Sequence, residues 1–250
     1  MTHIRNPGPR QVINRISFAL FTALLVLAGP ALAWNKITLS PLEFDALPRL
    51  CKSAAHLPIP RDRKRWPHTK QEKQLIWDVG AWHYCTGVVK LRRAELMPRN
   101  ISGFEALVKD ALLDIDFSFE RMPKRELWYA EMAVAAARGY RLLGDTKRAR
   151  EFLKLAQDNH PRYAPTYSAL ALLSFDEKDY ATAIGVLEKG NEATGKKSSE
   201  LNYFLGLAYF YAGDIEKARH QEALARELGY PLSGLARKIA QHGRSTGSKN

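Results

Sequence analysis

The sequence predicts an all-α fold: a short right-handed superhelical stack of helix pairs between a stapled N-terminal helical region and a C-terminal capping helix. Three observations lead there. Gly144-Asp145, Lys178-Asp179 and Gly213-Asp214 each lie just ahead of a small residue, Ala149, Ala183 or Ala218, and those alanines are 34 and 35 residues apart. Ala136-Ala137 with Tyr140, Leu170-Ala171 with Ser174, and Leu205-Gly206 with Tyr209 repeat at the same interval. No stretch sustains the alternation of period two that a half-buried strand requires. A repeat of this length is one helix, a reversing turn and a second helix. Small residues let the two helices approach, and stacking buries the face that one pair leaves exposed.

The first 33 residues read as a secretory leader. Arg5, Arg10 and Arg15 precede an apolar run from Ile16 to Leu27, then Gly29-Pro30 and Ala31-Leu32-Ala33. Small residues before Trp34 predict a cut after Ala33 and export, most directly to a bacterial periplasm. The apolar run is short for a membrane span, and the alternative is an uncleaved inner-membrane anchor. Loss of three leader arginines lowers the net charge from +12 to +9.

Residues 34–69 carry short helices and a basic loop. Ser40-Pro41-Leu42-Glu43 is a capping box with proline at the first helical position. Pro48 ends that helix, and Pro58, Pro60 and Pro67 make His56–His68 irregular. Thr69-Lys70-Gln71-Glu72 is a second capping box, opening a helix expected to run to about Met97. Ser102-Gly103-Phe104-Glu105 is a third, opening a helix to about Arg121. Residues 70–121 thus read as a degenerate, extended helical pair, with Trp77, Gly80-Ala81 and Tyr84 at repeat-like spacing.

The clearer units occupy 130–163, 164–198 and 199–232 within a 124–242 segment. Ala130, Ala133, Ala136 and Tyr140 mark the first, with Ala149, Leu153, Ala156 and Pro161 on its partner. Gly190 stands where alanine is usual in the second, and Glu222 where a large apolar residue is usual in the third. A helix from about Ser233 to His242 is expected to close the stack. Residues 243–250 read as a disordered tail. In these residues the chain resembles the tetratricopeptide repeat (TPR) family. That resemblance implies a non-catalytic scaffold that grips a protein or peptide partner, in exported members commonly in envelope assembly or export. It also implies an inner face lined by first-helix positions 2, 5, 9, 12 and 13. Those positions include Arg138, Arg141, Leu172, Phe175, Tyr203, Phe210 and Tyr211. Aromatics beside arginines have the composition of an interface hot spot, and the arginines could take a carboxylate bidentately. The alternative is that Leu172, Phe175 and Phe210 pack against neighbouring repeats or the final helix.

Cys51 and Cys85 are the only cysteines. An even count behind a leader favours a disulfide. Closing a loop of 34 residues would contribute about 3.8 kcal/mol in the chain-entropy treatment. The competing set of Cys51, His56, His83 and Cys85 matches zinc spacing poorly, and no metal or cofactor is expected. Gly190–Lys196 begins like a phosphate loop, yet Lys197 replaces the Ser/Thr and no strand precedes it. No Gly-x-Ser-x-Gly or His-Glu-x-x-His motif is present, so an enzyme is not expected. The remaining signal is charge. Arg49–Lys73 is strongly basic, and Arg61, Arg63, Lys64 and Arg65 are candidate anion-binding residues. Behind a leader, anionic lipid or acidic polysaccharide suits them better than nucleic acid. The other reading is a solvated loop with no specific ligand.

Overall fold

The computed structural model describes residues 37–54 and 57–247. The expected leader and its cut lie outside them, as do His56 and the last three residues of the tail. Twelve α-helices and no strand occur among the described residues. They are α1 (Pro41–Asp45), α2 (Arg49–Ser53), α3 (Lys70–Asp78), α4 (Ala81–Glu95), α5 (Phe104–Phe119) and α6 (Leu127–Leu142). After these come α7 (Thr146–Asn159), α8 (Ala164–Asp176), α9 (Tyr180–Ala193), α10 (Ser199–Ala212), α11 (Ile215–Glu227) and α12 (Gly234–Gly247).

Three turns with one geometry generate the repeat. Gly144, Lys178 and Gly213 take left-handed φ values of 78°, 57° and 88°. Asp145, Asp179 and Asp214 then cap the second helices, each side chain accepting from the amide three residues on. In each turn the aspartate amide also donates at 2.9 Å to the carbonyl five residues back, that of Tyr140, Ser174 or Tyr209. The first helix is thereby closed and the second opened within three residues, and each cap contributes about 1 kcal/mol. Side chains at the crossings are small, with Ala136, Ala149, Ala171, Ala183, Ala208 and Ala218 fully buried. Helices pack as α6 on α7, α8 on α9 and α10 on α11, with successive pairs in contact, as the spacing predicts.

The N-terminal region differs from its expected outline. The single helix expected from residue 70 to about 97 is two, α3 and α4, divided at Gly80 with φ +63°. Ser118 holds the break: its hydroxyl donates to the Gly80 carbonyl at 2.8 Å and accepts from the Tyr84 amide at 3.0 Å. A Cβ on Gly80 would come within 2.7 Å of the Phe117 ring. The helix pair that packs onto the first repeat is therefore α4 with α5. The expected capping box at Ser102 is absent, because Gly103, with φ +90°, occupies the N-cap and no side chain caps α5. The boxes at Ser40 and Thr69 form as expected. Cys51 on α2 and Cys85 on α4 are joined in a disulfide, and His83 instead contacts Asp114 at 2.9 Å.

Helix α12 covers the last repeat with Leu235 and Ile239, both buried, each contributing about 1.5–3 kcal/mol. It continues past residue 243 to Gly247, so the tail expected from 243 starts with helix.

Candidate functional site

The first helices of four successive pairs, α4, α6, α8 and α10, line a continuous cleft with two connected cavities. The inner cavity, about 340 Å³, is bounded by Tyr84, Val88, Glu131, Val134, Tyr163 and Glu200, with Glu43 and Leu47 of the N-terminal segment at its edge. The outer one, about 580 Å³, is bounded by Glu95, Arg138, Arg141, Leu172, Phe204 and Phe104. Arg92, Val134, Arg138, Pro165 and Glu200 border both. Helical spacing creates this wall. Glu131, Val134 or Ala135, Arg138, and Arg141 or Leu142 recur at intervals of three or four residues on α6 and so share one face.

The candidate residues divide into three groups. Arg138, Arg141 and Leu172 line the outer cavity. Phe175 and Tyr211 lie in an aromatic cluster beside it: Tyr211 stacks on Tyr180 at 5.2 Å, and Phe175 stands 6.5 Å from Phe204. Tyr203 and Phe210 face the C-terminal cap instead of an open groove. Tyr203 is buried and stacks on Tyr230 at 4.3 Å, and Phe210 stands edge-on to His242 at 6.1 Å. The physical reason is that this is the last repeat, and its inner face is what α12 and the chain before it must cover.

The expectation that the arginines stand ready for an incoming carboxylate is corrected. Arg138 donates two hydrogen bonds to Glu95, at 2.9 and 2.7 Å, across α6 and α4. Arg141 likewise donates two to Asp176 of α8, at 2.5 and 2.7 Å. Fork-to-fork pairs of this kind satisfy both partners and fix the helices laterally. Arg93 on α4 holds Glu43 at 2.7 Å, and this hydrogen bond drives the Glu43 carboxyl down to about 2.

Spacing did not single out the residues that carry unmet charge in the cleft. Glu131 accepts a hydrogen bond from the Tyr84 hydroxyl at 2.9 Å. Burial pushes its carboxyl up to about 7 despite that bond. Burial also raises the Tyr84 and Tyr163 hydroxyls, and Glu131 and Glu200 add to the rise at Tyr163. Counting from Ala130 and Ser199 places Glu131 and Glu200 at position 2 of their repeats, so the rule that picked Arg138 also reaches them.

The basic loop is largely structural. Arg63 holds Asp45 through two hydrogen bonds, at 2.8 and 2.6 Å, and also pairs with Asp62. Arg65 donates to the carbonyls of Ala54 and Leu57. Both guanidinium groups tie the irregular segment to the N-terminal helices. Arg61 and Lys64 are exposed, and the half-exposed Trp66 lies under Arg49 and Lys52.

No protein-family model matches the sequence, and no curated protein is similar to it. Solved structures are. A TPR protein of Thermus thermophilus, TTC0263, is 21% identical with a TM-score of 0.52, covering 68% of this chain and 83% of that one. A MamA structure (MSR-1 C2) is 18% identical over 69% of this chain and 88% of that one, with a TM-score of 0.45. The first likeness, with the repeated turns and helix pairs, makes this a TPR-like fold.

Proposed function

We propose that this chain is a binding scaffold whose cleft along α4, α6, α8 and α10 grips a segment of a protein partner. One observation carries the reading: the first helices of successive pairs jointly line a cleft open to solvent. Its floor is apolar at Val134, Leu172 and Phe204, and its walls are charged. An open cleft in which apolar side chains alternate with charged ones has the composition of a docking site. The finer reading is that the chain works outside the cytoplasm, in envelope assembly or export. The leader-like residues 1–33 and the cysteine pair support it, and a purified mature chain beginning at Trp34 would be its direct sign.

Site-specific photocrosslinking in producing cells tests the scaffold reading. A crosslinker at Leu172 should give one dominant adduct, whereas a crosslinker at Lys154, exposed on the second helix of the first repeat, should give none. Equal adducts from both positions, or none from either, would reject the cleft as the docking site.

A further inference from the structure

We propose that the inner cavity takes a cationic side chain, lysine or arginine, of the docked segment and holds it between Glu131 and Glu200. This rests on the docking reading and names the partner's chemistry. Both arginines that border the inner cavity pair with one carboxylate, Arg138 with Glu95 at 2.7 Å and Arg92 with Glu95 at 3.3 Å, so together the three carry one net positive charge. The third acid of that cavity, Glu43, has its own arginine. What remains is Glu131, whose carboxylate has a tyrosine hydroxyl and no cation, and Glu200, which has neither an ion pair nor a side-chain hydrogen bond among the described residues. Both residues line the inner cavity together with Tyr163. Arg99 borders only the outer cavity.

A half-buried carboxylate without a positive partner is costly, and a cation delivered by the ligand offsets that cost while gaining a pair in a partly desolvated site. The half-buried ring of Tyr163 offers a face against which a lysine stem or a guanidinium plane can lie. About 340 Å³ is at the small end of ligand sites, room for one long side chain rather than a folded element. An acidic side chain entering here would meet the two carboxylates against one net positive charge from Arg92, Arg138 and Glu95, so the cavity disfavours it.

Binding should also depend on pH. Glu131 is faced by Tyr84 and Arg92 of α4, Glu43 of α1, Arg138 of its own helix, Tyr163 ahead of α8, and Glu200 of α10. Its carboxyl must lose a proton to pair with a cation, so affinity should rise from pH 6 to pH 8.

A random heptapeptide library displayed on phage, selected against the full chain at pH 8, tests this. Enriched peptides should share one fixed basic position. Replacing that residue by norleucine in the synthetic consensus should weaken Kd about tenfold. The same replacement should cost nothing when the double variant Glu131→Gln/Glu200→Gln is the receptor. Wild-type affinity should rise by up to about tenfold from pH 6 to pH 8 and stay flat in Glu131→Gln. Glutamine keeps the size and the acceptor toward Tyr84, and a thermal melt checks folding. Enriched peptides that lack a basic position, or share an acidic one, would overturn this inference and leave the docking reading standing. No enrichment over a Leu172→Arg receptor would overturn both.

Discussion

Glu131→Gln is expected to stabilise the fold, and to do so only where the native residue must ionise. The folded chain binds the Glu131 proton up to a pH of about 7, because burial disfavours the charged form, while the ordinary value is 4.5. Between those values the folded state holds a proton that the unfolded state has released, so native stability declines as pH rises. The gap, at 1.36 kcal/mol per pH unit, amounts to about 3 kcal/mol once both states are ionised. Glutamine has no proton to lose, and its amide oxygen can accept from the Tyr84 hydroxyl as the carboxyl oxygen does at 2.9 Å. Urea unfolding with the disulfide intact should therefore place the variant within about 1 kcal/mol of the native chain at pH 5, and about 3 kcal/mol above it at pH 8. Parallel stability curves for the two proteins from pH 5 to pH 8 would refute the reasoning, because they would mean that Glu131 is solvated and ordinary. The prediction also links stability to use, since a residue whose charge costs stability that glutamine would not cost is what a binding site retains.

Three further substitutions probe the frame. Removing the cross-link with Cys51→Ala/Cys85→Ala should lower unfolding free energy by up to about 4 kcal/mol, given the 34-residue loop, and leave the variant insensitive to reductant in the same urea assay. Lys178→Gly should raise stability by about 0.5–1 kcal/mol, because lysine there holds φ 57° in a turn where Gly144 and Gly213 serve the other repeats; a loss of stability would show that the backbone is not strained. Gly190→Ala should lower stability by about 1–3 kcal/mol, since a Cβ would stand 2.6 Å from Cγ of Tyr167, near the root of a buried ring that cannot swing away. A Tm at or above the native value would contradict that packing.

Particular residues show how far the chain could be read before it was folded. The Gly-Asp turns were legible because left-handed backbone and an aspartate cap are local requirements, satisfied within four residues of themselves. The cysteine pair was legible because two thiols leave one pairing. Even the glycine at 190, odd against its sister repeats, was visible, though its cause in the Tyr167 ring was not. The break at Gly80 was missed because it depends on Ser118 and Phe117, more than 30 residues away. The partners of the cleft arginines were not legible, since Glu95 lies 43 residues from Arg138 and Asp176 lies 35 from Arg141. Tyr203 was read as open because its repeat position is open in the middle of a stack, whereas here it meets Tyr230 at the end of one.

Sequence alone determined the helical class, the repeat length, the turns and the staple, because each follows from interactions within a turn or two, or from counting a scarce residue. Tertiary structure alone decided which charges of the cleft are spent and which remain. Ion pairs form between helices brought together by packing, and a carboxylate has no fixed character until its neighbours and its share of solvent are known. Glu131 and Glu200 stand as two ordinary acids in the chain, and only the closed stack places them around one cavity with no cation of their own.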